Sequence, residues 1–136
     1  MSNALDTAIY GTLAGGTALT ALLAGGSASV YNGQPPRSGT MPWCTFSLAS
    51  GLEDNQTPTR SQRLVYLVKG VATSLNTAGR IADEIDTLLH DTTLTVTGSA
   101  NFWTARITTV RYQEVDPAGH VIGHAGGEYV FRLENT

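Results

Sequence analysis

A chain of 136 residues with a formal net charge of −3 has the length of one domain and can bury a real core without disulfides. Only eight residues are Lys or Arg, against eleven acids, and Lys69 is the single lysine, which excludes a nucleic-acid reader built on a basic face. Charged residues make up 14%, against a common share of about 25%, as expected of a subunit whose surface is partly covered by neighbours, because interface cores are depleted in charge.

Residues 3–14 place Leu5, Ile9 and Leu13 four apart, with Ala4 and Ala8 widening the stripe. That spacing predicts an amphipathic helix, capped by Ser2 or Asn3 and stopped by Gly15–Gly16. The start has neither the basic residues nor the apolar run of a secretory signal, so the chain reads as soluble and non-exported. Thr17 then caps a short helix carrying Leu19, Leu22 and Leu23, which is far too short for the ~20 residues of a membrane span.

"SVYNGQPPRSGTMP" predicts a brief extended piece and a turn region. "WCTFSL" (43–48) alternates and is rich in aromatic and β-branched residues, so it predicts a strand, with Cys44 as a buried small hydrophobe. Residues 49–62, "ASGLEDNQTPTRSQ", have no periodicity and predict a long loop, a place where function concentrates. "RLVYLVKGVA" (63–72) is apolar at both parities, the pattern of a central strand.

A helix follows from Ser74 or Asn76 to Leu89, with Ala78, Ile81, Ala82, Ile85, Leu88 and Leu89 on one stripe. "TLTVTG" (93–98) predicts a short strand, and "FWTARITTVRYQEV" (102–115) a long one. Its apolar parity changes from Trp103, Ala105 and Ile107 to Val110 and Tyr112, which predicts a bulge near Thr108–Thr109. "DPAG" (116–119) predicts a tight turn, so residues 102–133 form one β-hairpin. Gly123, Gly126 and Gly127 mark a bulge or a close backbone contact in its second arm. The order predicts a single α+β domain over 1–136: an antiparallel or mixed sheet of about four to six strands, two main helices on one face, and a long C-terminal hairpin.

Residue types alone point to no catalytic centre. Asp83, Glu84 and Asp86 fall on the polar side of the predicted helix, and His90–Asp91 at its end, where a histidine meets the helix dipole favourably. His120 and His124 share a strand face but stand ~13 Å apart when extended, too far for one zinc without a bend. The glycine pairs lack the Gly-Lys-Ser/Thr of a phosphate loop, and no G-x-S-x-G elbow is present. No cofactor is expected. Arg60, Arg63, Arg106, Arg111 and Arg132 lie in or near strands, where they can pair with carboxylates across a subunit boundary or meet phosphates. Glu53 and Asp54 of the 49–62 segment and Asp116 of the tight turn join them as candidate contacts outside the subunit, because binding gathers on loops beside a rigid sheet.

"ALDTAIYGTLAGGTALTALLAGG", "VYNGQPP", the strand after Pro42, "AGRIADEIDTLLHD" and the closing "EYVFRLE" follow one another in an order that resembles the tail terminator (tail completion) proteins of long-tailed phages. The resemblance spans nearly the whole chain through short motifs. It implies a non-enzymatic virion protein, assembled in the host cytoplasm into a homo-oligomeric ring, usually a hexamer. Such a ring caps the tail tube, meets the head–tail stopper or connector, and lets double-stranded DNA pass without sequence recognition. A slightly acidic subunit suits a conduit that must not hold phosphates. Two other readings stay open: another connector or tail tube component, and a small enzyme or ligand-binding protein using His90, His120 and His124.

Overall fold

The computed structural model describes residues 2–37, 39–55 and 60–135. Helix α1 spans Ser2–Ala14 and turns Leu5, Ile9 and Leu13 fully inward. Helix α2 is one turn, Thr17–Thr20, with Gly16 rather than Thr17 at its N-cap and no side-chain cap. A 3-10 turn at Gly26–Ser29 leads into β1, Val30–Asn32. Then come β2, Trp43–Asn55; β3, Arg60–Ala72; α3, Leu75–Leu89; β4, Thr95–Val96; β5, Ser99–Val115; and β6, Val121–Asn135.

The strands form one six-stranded sheet in the order β1-β2-β3-β6-β5-β4. The β1–β2 pair is parallel and every other pair is antiparallel, so the sheet is mixed, and β3 and β6 are its centre. This is the expected α+β architecture, with α1 and α3 on one face. Cys44, Phe46, Leu64, Tyr66, Val68, Tyr129, Phe131 and Leu133 join the inward stripes of α1 and α3 in one core. Tyr66 meets Phe131 edge-on at 5.5 Å between ring centroids, a favoured aromatic geometry. Burial pushes the Cys44 thiol up to about 12, so it packs as a hydrophobe and is not a thiolate nucleophile.

Helix α3 forms where periodicity and cap agree. The Ser74 side chain accepts a hydrogen bond from the Thr77 N–H at 3.2 Å, and Ala78, Ile81, Ile85 and Leu89 are all fully buried. Burying each of the large ones contributes about 1.5–3 kcal/mol. The helix ends at His90, after which Asp91 takes a left-handed φ of 55°. Asp83 is exposed on the outer side, as the polar-face reading expects.

Two readings of the sequence change. Most of the stretch 49–62 is not loop: β2 runs to Asn55 and β3 starts at Arg60, paired in register with it. Residues 56–59 lie outside the described residues. The rows here lie past the β1 end of the sheet, and Ser50 and Gly51 are exposed, so no buried face imposes an apolar alternation. The glycines of β6 mark close contacts rather than a bulge: a Cβ on Gly123 would lie 2.8 Å from the Leu75 backbone at the start of α3. The bulges sit in β5, at Asn101/Trp103 and at Arg106/Thr108, the second one residue before the expected place. The tight turn forms as expected, with Gly119 at φ 87° donating to the Asp116 carbonyl at 2.9 Å.

Candidate functional site

Register assigns each sheet residue to a face. The face opposite the helices carries Trp43, Thr45 and Ser47 of β2, Arg63, Val65, Leu67, Lys69 and Val71 of β3, and His124, Glu128, Val130 and Arg132 of β6. No described helix packs on it. Curling of the sheet still hides Val71, Val130 and His124. A groove of about 300 Å³ remains between the Gly33–Pro35 segment and the sheet, floored by Leu67, Lys69 and Val71 and closed by Trp43, Ile122 and His124.

The polar groups of this groove satisfy one another. His124 Nε2 lies 2.5 Å from Glu114, and its ring stacks on Tyr112 at 4.5 Å with planes 8° apart. Lys69 Nζ donates to the Tyr112 hydroxyl at 2.9 Å. The set ties β3, β5 and β6 together and stiffens the base of the hairpin. The other histidines stand apart: His90 Nδ1 accepts from the Arg106 N–H at 3.1 Å, and His120 Nδ1 lies 3.2 Å from Asp116. Each ring thus faces different partners, and among the described residues no three His, Cys, Asp or Glu gather to hold a metal ion.

On the helix face, two tyrosines in one sheet row reach carboxylates on the helices. Tyr66 donates to Asp6 of α1, and Tyr129 donates to Asp86 of α3 at 2.9 Å. Burial, first, and then the adjacent carboxylate push both phenols well above their ordinary range. Arg106 of β5 completes the second pair from 3.5 Å. Tyr129→Phe is expected to destabilise the fold by about 1.5–3 kcal/mol, since it removes a hydrogen bond to a charged group. Chemical denaturation of the full chain measures this.

The candidate contact residues divide by position. Arg63 and Arg132 are directly paired across β3 and β6 on the open face. Arg106 and Arg111 face the helices, Arg106 at Asp86 and Arg111 against Gly79, where an added Cβ would meet its guanidinium at 2.7 Å. Glu53 and Asp54 occupy the end of β2 and Arg60 the start of β3; their side chains lie outside the described residues. Asp116 holds its own turn, accepting from the N–H groups of Ala118 at 2.9 Å and His120 at 2.8 Å.

The backbone N–H of His120, first, and then the His120 ring and the Ala118 N–H hold the Asp116 carboxyl below its ordinary value. A carboxyl lowered in the fold stabilises above its unfolded pKa of about 3.9, and that contribution fades as pH falls through the folded value. The Ala118 and His120 amide resonances are therefore expected to stay put through neutral pH and to shift only below about pH 4.

Two features escape a reading by residue type. The tyrosine–aspartate pairs join residues 60 and 43 positions apart, and their only local signal is a tyrosine inside an apolar strand. Large apolar side chains also stand exposed on the outer strands: Leu48 at 48%, Trp103 at 46% and Ile107 at 53%. Val115 and Val121 are exposed as a pair beside the hairpin turn.

A family model described as "Tail completion protein gp17" matches residues 7–122. Among solved structures, a chain from the "Virion of native gene transfer agent (GTA) particle" superposes with a TM-score of 0.75 at 18% identity, over 98% of this chain and 97% of that one. This likeness is one of fold. No curated protein matches the sequence.

Proposed function

Because the chain belongs to the tail completion protein gp17 family, and so is a structural protein of a virion tail, we propose that it is the terminator ring of that tail. Identical copies close into a ring, six by the family resemblance, which caps the tube, meets the head connector and leaves a lumen for double-stranded DNA. The observation that carries the reading is the family match across 7–122, on a fold shared nearly end to end with a chain of a phage-like particle. The reading assigns the chain no catalysis: its work is done by shape and by surfaces between subunits.

The fold supplies surfaces suited to that work. The β2–β3 connection leaves the sheet at the Asn55–Arg60 row, and the β5–β6 turn leaves it at the opposite end, beyond Val115–Val121. With strands running along the ring axis, one end addresses the tube and the other the connector. Glu53, Asp54 and Arg60 belong to the first end and Asp116 to the second. The net charge of −3 per copy keeps the passage from binding phosphates tightly.

The experiment is deletion of the gene in the particle that encodes it. The reading predicts heads and tails that accumulate unjoined and rejoin when the purified chain is added. Normal joining without the chain overturns it. Label on the chain found along the whole tube, instead of at one end, makes it a tube subunit.

A further inference from the structure

The sheet is open at both outer edges over the same rows. Strand β1 covers β2 only from Cys44 to Phe46, and β4 covers β5 only at Ser99 and Ala100. Between these limits each row runs from one free edge to the other. One is Ser47–Leu67–Glu128–Thr108, the next Leu48–Tyr66–Tyr129–Arg106, and Leu52–Arg63–Arg132–Trp103 lies further along. Unpaired edge N–H and C=O groups are a template for another strand, and natural folds shield them with lysine, proline or a covering element. Residues 47–52 and 103–108 contain no lysine and no proline. They carry instead the exposed Leu48, Trp103 and Ile107.

Direction and charge choose the partner. The chain β2-β3-β6-β5 is antiparallel at every step, so β5 runs opposite to β2. Rotation about an axis along the strands keeps copies pointing the same way, and then β5 of one copy meets β2 of the next antiparallel. Residues 47–55 carry Glu53 and Asp54 and no cation, whereas residues 101–112 carry Arg106 and Arg111 and no acid. Pairing β5 with a second β5 or β2 with a second β2 would oppose like charges, which destabilises cross-strand neighbours. The bulges at Leu48/Ser50 and Arg106/Thr108 flank the Leu48–Arg106 row, where added twist curves the sheet.

We infer that copies of this chain join by main-chain pairing of β5, rows Trp103–Thr108, with β2 of the neighbour, rows Ser47–Leu52, so that the sheets run continuously round the assembly. The inference rests on the ring reading above and adds which strands form the joint. The contact is head-to-tail, the kind that closes into rings. Leu48 of one copy then covers the Arg106–Ile107 step of the next.

A Ser47→Cys, Thr108→Cys double variant tests it, because these residues face each other across the joint at a separation a disulfide spans. Mild oxidation of the assembled chain is expected to give a ladder of multimers on a non-reducing gel, and each single variant only monomer. Ile107→Lys should weaken association at least tenfold with an unchanged melting temperature, whereas Val121→Lys, outside the rows, should not. Dimers from Thr108→Cys alone would replace the joint with a β5–β5 contact. Assemblies that neither cross-link nor respond to Ile107→Lys overturn the joint and leave the ring standing. A chain that stays monomeric both in solution and on tails overturns the ring and the joint together.

Discussion

Gly126→Ala is expected to cost about 3 kcal/mol or more, the upper end of overpacking penalties. Gly126 of β6 lies against Lys69 of β3, and a Cβ there would sit 2.1 Å from the Val68 carbonyl oxygen and 2.5 Å from the Lys69 Cα. Both are backbone atoms of the central strand, so no side-chain rotation relieves the clash. Relief requires β6 to move off β3, and the two tyrosine–aspartate anchors resist that movement. Gly11→Ala is the matched control, since Gly11 is exposed in α1 with no heavy atom near the added methyl. It should gain about 0.5–1 kcal/mol through helix propensity. Urea unfolding of the two variants should move the midpoint in opposite directions with an unchanged slope. A harmless Gly126→Ala would mean that the β3–β6 centre is looser than described.

Ile85→Ala is expected to cost about 2–5 kcal/mol, transfer and cavity together. Ile85 is fully buried in the middle of the α3 stripe, where the helix crosses the sheet centre. Asp83→Ala, two residues away on the exposed side, should stay within about 0.5 kcal/mol. The contrast decides what α3 is for. A helix that fastens a sheet is sensitive on its apolar stripe and indifferent outside it. If Asp83→Ala and Glu84→Ala abolish function with stability intact, the acids of α3 belong to a site and the packing account of this helix fails.

Elements whose contacts repeat locally were legible in the sequence. Helix α3 shows this best, because its stripe and its Ser74 cap are both short-range signals. So does the β5–β6 hairpin, from its tight turn and the lengths of its arms. Illegible were features set by what lies across the sheet. The Arg106/Thr108 bulge shifts the parity of β5, which leaves Arg106 and Arg111 toward the helices, while Arg63 and Arg132 share a row on the other face. Residue type alone treats these four alike. The extension of β2 and β3 past residue 48 has no burial to alternate against, so its residues resemble a loop.

The same limit applies to the candidate surface. Lys69, Tyr112, His124 and Glu114 come from three strands and meet only in the fold. The free edges are legible only from the sheet order, which places a strand of two residues and another of three at the two ends. A sheet with such short terminal strands leaves most of β2 and β5 uncovered, and that geometry connects the fold to assembly.

The most direct test of the account is cryo-electron microscopy of the junction between head and tail in assembled particles. The account predicts one ring of this chain at the head-proximal end of the tube, with an open lumen. Density for the chain anywhere else in the particle, or at the junction as a single copy beside the axis, would contradict it.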